Sequence, residues 1–73
     1  MTLKEFLLKY CRNTQMISVA EVKGDGVRFN TIHYVYLDDF LEDDARNSVL
    51  FDREVVEIFC GRGEVLFINV KGE

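Results

Sequence analysis

Residues 52–70, DREVVEIFCGRGEVLFINV, decide the fold. β-Branched and aromatic side chains crowd two short runs, 55–60 and 65–70, and the linker between them carries Gly61 and Gly63. Two such runs parted by a glycine-bearing turn read as an antiparallel hairpin. Gly61-Arg62-Gly63 is not a phosphate loop, because no helix follows it and the lysine of such loops is missing. Strand periodicity sets Val56, Ile58 and Cys60 against Val55, Glu57 and Phe59, and Leu66, Ile68 and Val70 against Val65, Phe67 and Asn69. Both faces of this hairpin are apolar, so it demands cover on two sides.

Upstream, TLKEFLLKYCRN (2–13) opens with a capping box, Thr2 and Glu5 each satisfying the other's backbone N–H. At 100° per residue Leu3, Phe6, Leu7, Tyr10 and Cys11 share one face and Leu8 falls outside it. This predicts an amphipathic helix of about three turns, with Asn13 as the left-handed residue that ends it. QMISVAEV, KGDG and VRFNTIHYVYL (15–37) then read as a second hairpin. Asp25-Gly26 would occupy two turn positions that both need positive φ. Val27 and Phe29 fall on one face, whereas Ile32, Tyr34 and Tyr36 fall on the other, so a β-bulge is expected near Asn30.

Between the hairpins, LDDFLEDD (37–44) carries five carboxylates. As a helix it puts Asp38, Asp39, Glu42 and Asp43 on one side and Leu37, Phe40 and Leu41 on the other. Asp44 would intrude on the apolar stripe, so the helix should fray there, with a loop over 45–52. The expected architecture is therefore α+β: an N-terminal helix and two antiparallel hairpins, about four strands, with a short acidic helix between them. The 73 residues form one domain, near the lower size limit for independent folding.

The opening MTLKEFL, the acidic LDDFLEDD and the closing FDREVVEIFCGRGEVLFINV together resemble a loose group of short, uncharacterised proteins encoded in prophages and mobile elements of Gram-positive gut bacteria. The resemblance runs over nearly the whole chain. It implies the same order of elements and carries no activity, cofactor or site residue.

Composition narrows the function. Net charge is −4, and residues 38–44 hold five carboxylates, so the remainder is close to neutral at +1. Without a concentrated basic surface, non-specific nucleic-acid binding is disfavoured. No apolar run approaches the length of a membrane span. With no secretion signal read at the N-terminus, a cytoplasmic location is expected, with Cys11 and Cys60 as free, half-buried thiols. The acidic stretch lacks the glycine and alternation of a calcium loop, and no metal or cofactor is expected. His33, the only histidine, would need Cys11 or Cys60 beside it and a third group to orient it. No such set is legible, so an enzyme is not expected.

Two functional expectations follow. The first is a non-enzymatic protein-interaction module, homodimeric through one face of the C-terminal hairpin or the exposed edge of the sheet, with Asp38, Asp39, Glu42 and Asp43 facing a basic protein partner. The second is a single-stranded nucleic-acid binder stacking bases on Tyr34 and Tyr36 beside Arg28.

Overall fold

A computed structural model describes residues 1–61 and 63–72, save the side chains of Asn30, His33 and Asp44. Helix α1 spans Leu3–Tyr10, strand β1 Met16–Val22 and β2 Arg28–Tyr36. Helices α2 (Leu37–Glu42) and α3 (Asp44–Phe51) follow, then β3 (Val55–Cys60) and β4 (Val65–Lys71). The strands form one sheet in the order β2-β1-β4-β3, so each hairpin stays together and the two meet through β1 and β4. That central pairing is parallel, from Met16 opposite Val65 to Val22 opposite Lys71.

The capping box at α1 is complete. Glu5 N–H donates to Thr2 Oγ1 at 3.2 Å and Thr2 N–H to Glu5 Oε1 at 3.0 Å. The helix is shorter than its periodicity suggests. It stops at Tyr10, and Cys11 adopts extended geometry, not the left-handed stop expected at Asn13. Leu3, Phe6 and Leu7 are buried, Leu8 is exposed as expected, and Tyr10 is exposed despite lying on the apolar stripe. Burying each of the three large side chains contributes roughly 1.5–3 kcal/mol, so packing holds this short helix more than propensity does.

The acidic segment does not fray at Asp44. α2 ends at Glu42, Asp43 breaks the backbone with ψ 57°, and α3 begins at once where a loop was expected. α3 buries Asn47, Leu50 and Phe51. Phe40 of α2 packs on Phe51 with ring centroids 5.6 Å apart.

All three helices lie on one face of the sheet. Leu3, Leu7, Leu37, Phe40, Leu50 and Phe51 share a single core with Ile17, Val19, Ile68 and Val70. Those four strand residues project to the same side, because Ile17 pairs with Leu66, Val19 with Ile68 and Glu21 with Val70. The helices therefore do not straddle the sheet, and the cover expected over its second face is not supplied by any described element.

The hairpins depart from simple alternation at three places. The expected bulge on β2 is present, between Phe29 and Ile32, and a second follows between Ile32 and Val35. At the second bulge Tyr34 has φ 52°. Each bulge shifts the phase, so Phe29, Ile32 and Val35 face the helices and Tyr34 parts company with Ile32. On β3 a register shift between Val55 and Glu57 puts Val55 and Ile58 on the same side, where strict alternation opposes them. The β1–β2 turn also differs. Gly26 N–H donates to Lys23 C=O at 2.8 Å and Lys23 N–H to Val27 C=O at 3.0 Å. Gly26, not Asp25, carries the positive φ, 87°. This is a three-residue loop ending in a left-handed glycine. Arg62, within the β3–β4 turn, lies outside the described residues.

Candidate functional site

The uncovered face of the sheet carries Tyr34, Tyr36, Phe59 and Phe67. Phe67 pairs with Ser18 on β1 and with Phe59 on β3. The Phe59 and Phe67 rings stack 5.2 Å apart and 5° from parallel. Tyr34 of β2 meets Phe67 edge-on, with centroids 6.4 Å apart. The Arg28 guanidinium lies 5.3 Å from the Phe59 centroid, a distance at which a cation is attracted by the ring face. Ser18 and Ala20 are buried in the middle of this face although the helices lie on the other side. Small residues there leave room for the large rings around them.

Local sequence explains the gathering. The second bulge on β2 turns Tyr34 outward, and a left-handed φ at a tyrosine is uncommon enough to mark a constrained position. Gly61 lies directly under Phe67, and a Cβ there would collide with the Phe67 ring. The face thus depends on a bulge and on a missing side chain.

Its two ends differ in charge. At one end Arg28 and Lys71 both pair with Val22. At the other, Met16 pairs with Tyr36 and Val65, and Tyr36 shares a cleft with Asn13, Thr14, Asp38, Asp39 and Glu64. Arg12 stands at the neighbouring cleft by Gln15, Met16 and Glu64. Gln15 Nε2 braces this end by donating to the backbone carbonyl oxygens of Met16 (3.0 Å) and Glu64 (2.6 Å).

The structure brings Arg28, Tyr34 and Tyr36 onto this face, whereas Phe29 pairs with Glu21 on the helix side. It adds Phe59 and Phe67, which strand alternation alone left facing an unspecified cover. Asp38, Asp39, Glu42 and Asp43 are all exposed on or beside α2. Only Asp38 and Asp39 reach the sheet's end, beside Tyr36. Among the described residues, no three metal-ligating side chains converge, and no helix is long and apolar enough to cross a membrane.

Cys11 and Cys60 are free thiols. Cys11 is half-buried, and its burial raises the thiol's pKa. Cys60 is exposed, contrary to the expectation of partial burial. The strands that carry His33 and Cys60 lie at opposite edges of the sheet. The His33 side chain lies outside the described residues. The chain matches no protein-family model, no curated protein and no solved structure.

Proposed function

We propose that this chain is a non-enzymatic, cytoplasmic protein-interaction module whose contact surface is the open sheet face. One observation carries the reading: three helices pack on one side of the sheet and leave Tyr34, Phe59 and Phe67 clustered on the other. Leaving large apolar side chains wet forgoes roughly 1.5–3 kcal/mol each, which a binding partner recovers. Exposed aromatic clusters flanked by arginine are the composition of interface centres.

The partner segment is basic where it crosses the Tyr36 end, opposite Asp38, Asp39 and Glu64. The acidic turn of α2 is thus one end of the contact surface, not its centre, and Glu42 and Asp43 lie beyond it. An accessory role in a bacterial mobile element is what the resemblance noted in the sequence implies for such a module.

Single-stranded nucleic acid is the second reading, favoured by Arg28 and Tyr34 meeting on an open sheet. A phosphate backbone crossing the whole face would run from Arg28 and Lys71 into three carboxylates, which argues for protein. Two measurements separate them. Capture of a defined partner from host lysate should be lost with Tyr34→Ala and weakened with Asp38→Lys/Asp39→Lys. If instead a labelled single-stranded oligonucleotide binds at micromolar concentration, weakens steeply with salt, and is strengthened by the lysine variant, the nucleic-acid reading replaces this one.

A further inference from the structure

The two edges of the sheet are unequal. β2 is interrupted by two bulges and by left-handed Tyr34, and bulges deter edge-to-edge pairing. β3 has its one irregularity at the start and runs regularly from Glu57 to Cys60. The backbone of Met1–Leu3 closes its outer side only at the beginning, through Leu3 N–H to Arg53 C=O and Val55 N–H to Met1 C=O. Every residue from Val56 to Cys60 is exposed, including Val56 at 53%, Ile58 at 44% and Phe59 at 36%. The stretch carries no lysine and no proline, the residues that protect open edges. Its one charge, Glu57, leans over the sheet to accept from Asn69 Nδ2 at 2.8 Å.

We propose that this edge joins a second copy of the chain: two β3 strands pair antiparallel about a two-fold axis at Phe59, and two four-stranded sheets become one. The hydrogen-bond alternation fixes the register. Gly61 N–H donates to Val65 C=O, and Phe59, two residues earlier, lies opposite Phe67. Phe59 and Gly61 therefore bond inward to β4, while Ile58 and Cys60 turn their N–H and C=O groups outward. Centring the axis on Phe59 brings each Ile58 opposite the second copy's Cys60, where both strands donate and accept.

The same register is complementary in side chains and charge. The two Phe59 residues meet in the close, non-hydrogen-bonded position, where aromatic pairs are favourable. Each Glu57 becomes the diagonal neighbour of the other copy's Phe59, whose ring carries Arg28. Opposite charges thus face each other twice across the axis. A foreign strand would have to supply this pattern, whereas a second copy supplies it by symmetry. The β3 edge pairs in this way whatever the open face binds. An axis perpendicular to the sheet leaves both open faces on the same side.

Light scattering over micromolar to millimolar concentration should show the mass rising to twice 8.5 kDa. Amide exchange at Ile58 and Cys60 should slow as it does so. Under mild oxidation, Phe59→Cys in a Cys60→Ser background should form an intermolecular disulfide, since non-hydrogen-bonded positions bring Cβ atoms close. Cys60→Pro removes an outward N–H and no bond to β4, so it should return the protein to a folded monomer. Should that variant fail to fold, Phe59→Lys sets like charges directly opposite and gives the same readout. A mass of 8.5 kDa at every concentration overturns the proposal. So does a dimer that survives these variants while the Ile58 amide still exchanges freely, which would assign association to the open faces. Protection of Ile58 only on adding another protein overturns it too.

Discussion

Asn47 of α3 donates its side-chain Nδ2 to the backbone carbonyl oxygen of Phe40 in α2, at 2.9 Å and out of contact with water. This bond ties together two short helices that meet at a single residue. Asn47 Oδ1 is buried without a hydrogen-bond partner, so the site already carries one unsatisfied acceptor. Asn47→Ala should destabilise the fold by about 1–3 kcal/mol, since it strands the Phe40 carbonyl. Asn47→Asp should cost more, because it buries a charge beside that oxygen. Urea denaturation at neutral pH measures both.

Glu21 is 5% exposed on a central strand, with its Oε1 3.5 Å from Arg53 Nη2. Arg53 keeps partial access to water, which weakens the pair relative to a fully buried one. Arg53→Ala should still cost roughly 1–3 kcal/mol by leaving a buried carboxylate less well compensated. Joint replacement, Arg53→Met with Glu21→Met, should recover most of that loss. A double-mutant cycle reads the difference.

Loss of the α1 cap should be visible in both stability and acid response. Thr2→Ala should cost about 1 kcal/mol. The backbone N–H and side chain of Thr2 hold the Glu5 carboxyl below its ordinary pKa. Its stabilising effect is therefore present above the ordinary glutamate pKa and is lost as pH falls through the depressed folded value. Glu5→Gln should flatten that part of the stability–pH curve.

The two thiols should label at different rates. Cys60 is exposed and Cys11 half-buried, and burial raises the Cys11 pKa, lowering its thiolate fraction. Iodoacetamide at pH 7.5 should modify Cys60 first, as peptide mapping would show. A raised thiol pKa means that the folded state holds its proton longer. This contribution is intact below the ordinary thiol pKa and declines as pH rises towards the folded value.

Gly61→Ala should displace the Phe67 ring, because the added Cβ occupies that ring's position. The expected cost is about 1–3 kcal/mol, with loss of the Phe59–Phe67 stack as seen by ring-current shifts. Gly24→Ala, with open space around it, is the control and should be near neutral.

Much of the architecture was legible because local rules carried it. The Thr2–Glu5 box placed α1, the glycine-bearing turns marked both hairpins, and the phase fault at Asn30-Thr31 flagged a real bulge. Helix α3 was missed because DARNSVLF has weak helical periodicity, and its burial depends on Asn47, Leu50 and Phe51 meeting α2 and the sheet. The open-face cluster was half legible. Arg28, Tyr34 and Tyr36 were visible in one strand, but Phe59 and Phe67 joined them only through the parallel β1–β4 pairing, which no local signal encodes. Bulges also defeat alternation: one extra residue at Val56 or near Tyr34 exchanges the two faces.

The central place of β4 bears on biosynthesis. Of the described strands it is the last to be made, yet it lies between β1 and β3 and supplies Ile68 and Val70 to the core. While the chain is still being translated, β1 has only β2 beside it, and its other edge stays open until residues 65–71 leave the ribosome. Chaperones should therefore meet a nascent chain whose β1 backbone edge is unpaired until residues 65–71 emerge. Loss of residues 65–71 would not trim an edge but would part β1 from β3.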